Sequence, residues 1–245
     1  MDDDGYFGES IAERYDESSS AEFEPAVVDP AVEVLARFAG DGRALELGIG
    51  TGRIALPLAR RGVAVHGIEL SRAMVARLRA KPGGADIGVT IGDFSTTRAD
   101  GAFSVAYLVF NTIMNLTTQA AQVDCFRNVA AHLEPGGRFV VEVVVPELRR
   151  LPPGQNAVPF HVSSTGVAFD VYDVATQATS SNYVEVVDGR GSYRSVPFRY
   201  VWPSELDLMA QLAGLRPSGR WQDWVGTPFT GESRGHVSVW EKPLV

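Results

Sequence analysis

Three glycines fall within the stretch Glu46-Leu47-Gly48-Ile49-Gly50-Thr51-Gly52, between an apolar run and an amphipathic one. Glycine lets the backbone turn tightly and approach a ligand with no Cβ in the way. Glu69 stands 17 residues beyond Gly52 at the end of a second apolar run, and Asp93 follows a third within Gly92-Asp93-Phe94. One carboxylate so placed can accept both O–H groups of a ribose diol, and another can accept from the exocyclic amine of adenine. Any of these residues alone is as readily a turn glycine or a solvated acid. Glycine, acid and acid at three successive strand ends point together to a nucleoside ligand.

The spacing narrows which nucleoside. A dinucleotide loop, G-x-G-x-x-G, needs its third glycine so that the helix can pack close to the strand. That position is Arg53 here, and the glycine falls at Gly52 instead. The pattern G-x-G-x-G after Glu46 resembles motif I of the class I S-adenosylmethionine-dependent methyltransferases. Glu69-Leu70 is similar to the family's ribose-binding acid and its neighbour, Gly92-Asp93-Phe94 to its adenine motif, and Leu133-Glu134-Pro135-Gly136-Gly137 to the turn before its fifth strand. Arg14-Tyr15-Asp16 resembles the segment that folds over the cofactor in many small-molecule members. The resemblance is close over about residues 40–145. It implies S-adenosylmethionine as cofactor, a small organic acceptor methylated on N, O or C, and no metal. The cofactor-binding residues it suggests are Arg14, Tyr15, Glu46, Gly48, Gly50, Gly52, Glu69, Leu70, Gly92, Asp93, Phe94 and Phe110. A nicotinamide-dependent oxidoreductase and a catalytically silent cofactor-binding module are the alternatives.

The elements that must hold these residues alternate. Ala44 to Leu47, Val63 to Glu69, Asp86 to Ile91, Phe103 to Phe110 and Phe139 to Val145 read as strands. Helices lie between them near 53–60, 71–81 and 119–133. Strands alternating with helices at this spacing predict an α/β, doubly wound, mostly parallel sheet covered on both faces. After Pro146 the pattern turns to period two. Val196, Phe198, Tyr200 and Trp202 share a face, and Pro197 assigns that segment to an edge strand or a bulge. We expect an antiparallel β cap at 147–202, N-terminal lid helices at 1–38, and a cofactor-binding domain from 39–146 and 203–245. The resemblance likens the cap to that of the sugar-amine and glycine-type N-methyltransferases.

Methyl transfer is an in-line displacement in which much of the work is alignment and exclusion of water. An amine needs only to arrive neutral, whereas a phenol or ring carbon gains from a base. The candidate catalytic residues are Tyr6, Tyr15, His161 and Glu142. His161 lies in the cap, where it could face the acceptor. Glu142 interrupts an apolar strand, so it either has a structural partner or faces the site. His66, His132 and His236 fit structural roles better. In the sugar N-methyltransferases a Tyr or His tends to stand near the position of Asn115.

The chain of 245 residues carries a net charge of −8. Residues 1–30 hold ten acids and one base, Arg14, so the remainder is close to neutral. No basic stripe suits a nucleic acid, and Val109-Phe110-Asn111-Thr112 lacks the Asp/Asn-Pro-Pro-aromatic signature of base-amino methylation. No apolar run reaches the ~18 residues of a membrane helix, and no secretory signal is visible. A single cysteine, Cys125, excludes an internal disulfide framework, and the cytoplasm is the expected location. A homodimer is entertained as an expectation. The acidic leader reads either as a solvated segment or as a lid. Phe7, Ile11 and Tyr15 recur at helical spacing, Arg14 could meet the cofactor's carboxylate, and Tyr6 or Tyr15 its sulfonium.

Overall fold

Residues 4–244 are described by the structure, a computed structural model; residues 1–3 of the expected leader lie outside the described residues. Two single-turn helices, α1 (Glu9–Ala12) and α2 (Tyr15–Ser18), precede the long helix α3 (Pro25–Ala39). Alternation then begins: β1 (Arg43–Leu47), α4 (Ala55–Arg60), β2 (Ala64–Glu69), α5 (Arg72–Arg79), β3 (Gly88–Ile91), β4 (Phe103–Leu108), α6 (Gln119–His132) and β5 (Leu133–Val144). Four strands follow, β6 (Ala157–Val162), β7 (Gly166–Tyr172), β8 (Ala178–Val187) and β9 (Arg190–Arg199). The chain closes with α7 (Pro203–Leu212), β10 (Arg216–Trp221) and β11 (Gly235–Glu241).

The larger sheet has seven strands in the order β10-β11-β5-β4-β1-β2-β3. Strands β1 to β5 pair in parallel, and β11 lies antiparallel between β5 and β10. Both faces are covered, as the near-continuous apolar strands require. Val105, Tyr107 and Val140 pack against α3 and α4 on one face. Ala106, Leu108, Phe139 and Val141 pack toward α6, α7 and Trp240 on the other. The order reverses between β1 and β4, which places a ligand crevice at their carboxyl ends.

The cap is a separate antiparallel sheet, β6-β7-β8-β9. Strand β9 is its edge, in keeping with Pro197, which has no N–H to give a second neighbour. Val196 and Phe198 belong to β9, whereas Tyr200 and Val201 continue beyond it into the core of the larger sheet.

The structure corrects two expectations about the leader. Phe7, Ile11 and Tyr15 do not lie on one continuous helix, because Gly8 is extended (φ −66°, ψ −177°) and separates the turns. Phe7 and Tyr15 nonetheless meet edge to face at 6.1 Å. The expected lid boundary at residue 38 runs through the end of α3. That helix buries Val28, Ala31, Val32, Leu35 and Ala39 and belongs to the body, so the overlying segment stops before Pro25. Strand β5 also starts earlier than expected. Leu133 pairs with Phe103, and the register shifts across Pro135-Gly136-Gly137 before Arg138 pairs with Val105.

Candidate active site

The glycine loop leaves β1 with Gly48, Gly50 and Gly52 all at positive φ (69°, 54° and 85°), a region that side chains with a Cβ rarely adopt. Each glycine has its own reason. A Cβ at Gly52 would lie 2.4 Å from Leu78 Cδ1, so Gly52 serves helix packing. A Cβ at Gly50 would make only ordinary contacts, with Met74 Cε at 3.7 Å and Gly48 O at 3.9 Å. Glu69 closes β2 beside this glycine. Its Oε2 accepts from Gly50 N at 2.8 Å and its Oε1 from Ser71 N at 2.9 Å. Each oxygen keeps a further acceptor position. Burial raises the Glu69 pKa, against the lowering effect of these backbone donors.

A cavity of about 180 Å³ lies over the loop. Gly48, Gly50, Glu69, Leu70, Asp93 and Phe94 form its floor and sides, and Phe7 and Tyr15 of the leader roof it. Asp93 Oδ1 accepts from Ser95 N at 2.8 Å, which orients the carboxylate. Acids at both ends, a glycine floor and aromatic walls fit a ribose, an amine-bearing purine and a positively charged sulfur.

Other expected cofactor residues stand apart from this cavity. Gly92 has φ 155° and no room for a Cβ, which would meet Thr97 Oγ1 at 2.2 Å; it shapes the turn. Glu46 is buried beneath the loop and accepts from the Tyr107 hydroxyl at 3.0 Å. Burial pushes its pKa up to about 8, with Tyr107 and Arg53 opposing. Arg14 is exposed and lines a different cleft with Glu17, Tyr193 and Arg194, so it is not brought to the glycine loop. Arg53 is the cation that sequence reasoning passed over. Its guanidinium lies 4.9 Å from the centre of the Phe110 ring and donates to Glu22 O at 3.1 Å.

A larger cavity, about 610 Å³, opens beside the first between the leader, the end of β4 and the cap. Tyr6, Tyr15, Phe110, Asn111 and Asn115 contribute to it from the body side. Phe110 and Asn111 both have positive φ (54° and 62°). Two consecutive residues in this region cost about 1–2 kcal/mol each. Glu142 helps to hold them: its Oε2 accepts from Phe110 N and its Oε1 from Trp224 Nε1, both at 2.9 Å. Glu142 therefore has structural partners, and it lines neither cavity. His161 is exposed on β6 and lines neither cavity either, so the structure does not place it with the acceptor. Tyr6 lines the larger cavity with its hydroxyl buried and unpartnered among the described residues.

Apart from Phe198, the cap supplies residues that the sequence did not single out. Asp170, Tyr172, Thr179, Ser181, Tyr183, Arg194 and Phe198 all line the larger cavity. The register puts them on one face, with Asp170 opposite Ser181, Tyr172 opposite Thr179, Tyr183 opposite Arg194 and Thr179 opposite Phe198. Period-two alternation carried across the hairpins was the available signal. Phe7, Tyr15, Thr112 and Asn115 border both cavities and mark their junction.

Known proteins share this chain's sequence pattern and fold. A family model described as a methyltransferase domain matches residues 44–137. The CcbJ methyltransferase from Streptomyces caelestis is 36% identical, covering 98% of this chain and 99% of its own, with a TM-score of 0.83. A cypemycin N-terminal methyltransferase from a Streptomyces species is 26% identical over 99% of this chain and 100% of its own length. CalS10, an amino pentose methyltransferase from Micromonospora echinaspora, shares the fold at 23% identity and a TM-score of 0.65, covering 87% of this chain and 90% of its own.

Proposed function

Because the chain belongs to the class I S-adenosylmethionine-dependent methyltransferases, we propose that it methylates an amine nitrogen of a small secondary metabolite held beneath the cap. The observation that carries this reading is the junction of the two cavities. Phe7, Tyr15, Thr112 and Asn115 border both, and none is a carboxylate or an imidazole. Tyr15 is the one titratable group among them, and burial raises its pKa further above the ordinary phenol value, against the lowering effect of Arg53. It is a poor base at neutral pH. An alcohol or ring carbon would lack the base it needs, whereas an amine brings its own lone pair. The cypemycin N-terminal methyltransferase, whose length this chain matches throughout, supports a nitrogen acceptor.

Bound S-adenosylmethionine supplies an electrophilic methyl group on a sulfonium centre. The chain's residues supply position and dryness. Glu69 would take the ribose hydroxyls, Asp93 the adenine amine, and the Gly50 backbone leaves room for the chain of the ligand. Tyr6 and Tyr15 present aromatic rings and hydroxyls to the acceptor, and an aromatic face attracts the positive sulfur. Desolvation by Phe7, Tyr15 and Phe110 keeps the amine from being hydrated or protonated during transfer. We assign residues 4–24 the part of a lid over both cavities.

The test is a turnover screen of amino, hydroxylated and indolic metabolites, with fragmentation mass spectrometry locating the added methyl. Methyl on nitrogen is the expected result. Methyl found only on oxygen or carbon would overturn the amine reading.

A further inference from the structure

The cap places one carboxylate in the larger cavity with no cation against it. Asp170 Oδ1 accepts from the Ser181 hydroxyl at 2.6 Å, and Oδ2 lies 3.4 Å from the Tyr172 hydroxyl. Among the described residues no lysine, arginine or histidine forms an ion pair with it, and the other charged group it senses is Glu147, of like sign. Burial is the main influence on its pKa and raises it. Arg194, on the same face, stacks instead over Tyr183 with its guanidinium 4.3 Å from the ring centre.

A half-buried carboxylate met only by hydroxyls is costly and is relieved by a cation. The walls suit one. Tyr172 and Phe198 line the cavity with Asp170, and aromatic rings attract positive charge. Asp170 does not border the cofactor cavity, so a group docked on it sits away from the junction where the methyl is delivered. A nitrogen awaiting methylation must keep its lone pair free, and a nitrogen held as an ammonium on a carboxylate has none.

We propose that Asp170, assisted by Ser181 and Tyr172, binds a protonated nitrogen of the acceptor other than the one that is methylated, so that the substrate is at least a diamine or an amine with a second cationic group. This rests on reading the larger cavity as the acceptor cavity. Ser181 and Tyr172 turn their hydroxyls to the carboxylate and hold it in place. The aromatic rings exclude water from the pair, and the rest of the acceptor spans the cavity to the junction.

Binding, not turnover, tests this. The full chain saturated with S-adenosylhomocysteine is titrated calorimetrically with tyramine and with para-ethylphenol, which has the same ring and chain and lacks the ammonium. The wild-type protein should bind tyramine about tenfold more tightly, in line with a charge-assisted hydrogen bond in a partly dry site. Asp170→Asn keeps an oxygen to accept from Ser181 while removing the charge, and should abolish that preference. Ser181→Ala, a milder change, should reduce it severalfold. Both variants should bind S-adenosylmethionine as the wild type does, which confirms that they are folded. Tyramine binding no better than para-ethylphenol, including the case where neither binds, or a preference that survives Asp170→Asn, overturns the proposal. No methyl is transferred in this assay, so its failure leaves the nitrogen reading standing, and a methyl located on oxygen leaves this assay valid.

Discussion

Glu69 and Glu46 are buried acids on adjacent strands, and their surroundings give them opposite uses. Two backbone N–H groups hold Glu69 in place as a ready acceptor. Hydrogen bonds to a charged carboxylate are worth about 1.5–3 kcal/mol, so Glu69→Ala should weaken S-adenosylmethionine roughly ten- to a hundredfold by calorimetry. Asp93→Ala should cost less, and unchanged affinity in both would remove them from the site. Glu46 instead sits under the loop, held near pKa 8 by burial. Its ordinary value is 4.5, so between pH 4.5 and about 8 the unfolded chain ionises first, and stability falls as pH rises through that window. Glu46→Gln keeps an acceptor for Tyr107 and removes the titration. In urea unfolding without cofactor it should gain on the order of 4 kcal/mol at pH 8 and little at pH 4.5. Equal pH slopes for the two proteins would show Glu46 to be ionised in the fold.

Elements built from local periodicity were legible before any coordinates. The five parallel strands and the antiparallel insertion follow from spacing that neighbouring residues alone determine. What the sequence hid depends on pairing between distant segments. Asp170 becomes a site residue only through its register with Ser181, and His161 loses its place because β6 lies on the far edge of the cap from β9. The joint between cap and body was equally invisible. Arg199, at the end of β9, donates to Glu205 of α7 at 2.7 Å and also to Gln122 of α6. Gln177 and Gln119 donate to the same carboxylate at 2.8 and 2.9 Å. Burial alone would raise the Glu205 pKa, but these donors outweigh it and hold it below the usual value. The joint therefore contributes stability above the carboxylate range that is lost as pH falls through the lowered pKa. Removing one partner of such a buried pair costs about 3–5 kcal/mol. Arg199→Ala should lower stability by that order and raise the acceptor KM while leaving cofactor affinity alone. A change confined to cofactor affinity would mean that the joint serves the glycine loop instead.

Across the whole molecule the uneven charge finds its explanation in where the acidic leader lands. Glu9 pairs with Arg77, and Asp4 accepts from the N–H groups of Arg72 and Ala73 at 2.8 and 3.2 Å, at the positive end of α5. Ser71 Oγ donates to Phe7 O at 2.6 Å. The tightest link reaches the ligand loop itself. Asp16 accepts from Thr51 Oγ1 at 2.6 Å and pairs with Lys81, which donates to Thr51 O at 2.8 Å. Thr51 lies between Gly50 and Gly52, so the leader and the loop share one polar joint, while Phe7 and Tyr15 roof the cofactor cavity. A ligand that fills the cavity gains contacts with that roof, and by linkage it must stabilise the docked leader. Arg14 is exposed between the two short helices and offers trypsin a bond inside the leader. Cleavage after Arg14 should be fast in the free protein and slowed about tenfold or more by saturating S-adenosylmethionine. In Asp16→Ala the joint to Thr51 is lost, so the same saturating ligand should protect much less, with circular dichroism unchanged. Cleavage at equal rates with and without ligand in the wild type would make residues 4–24 a fixed part of the body, and Phe7 and Tyr15 would be packing residues, not a lid.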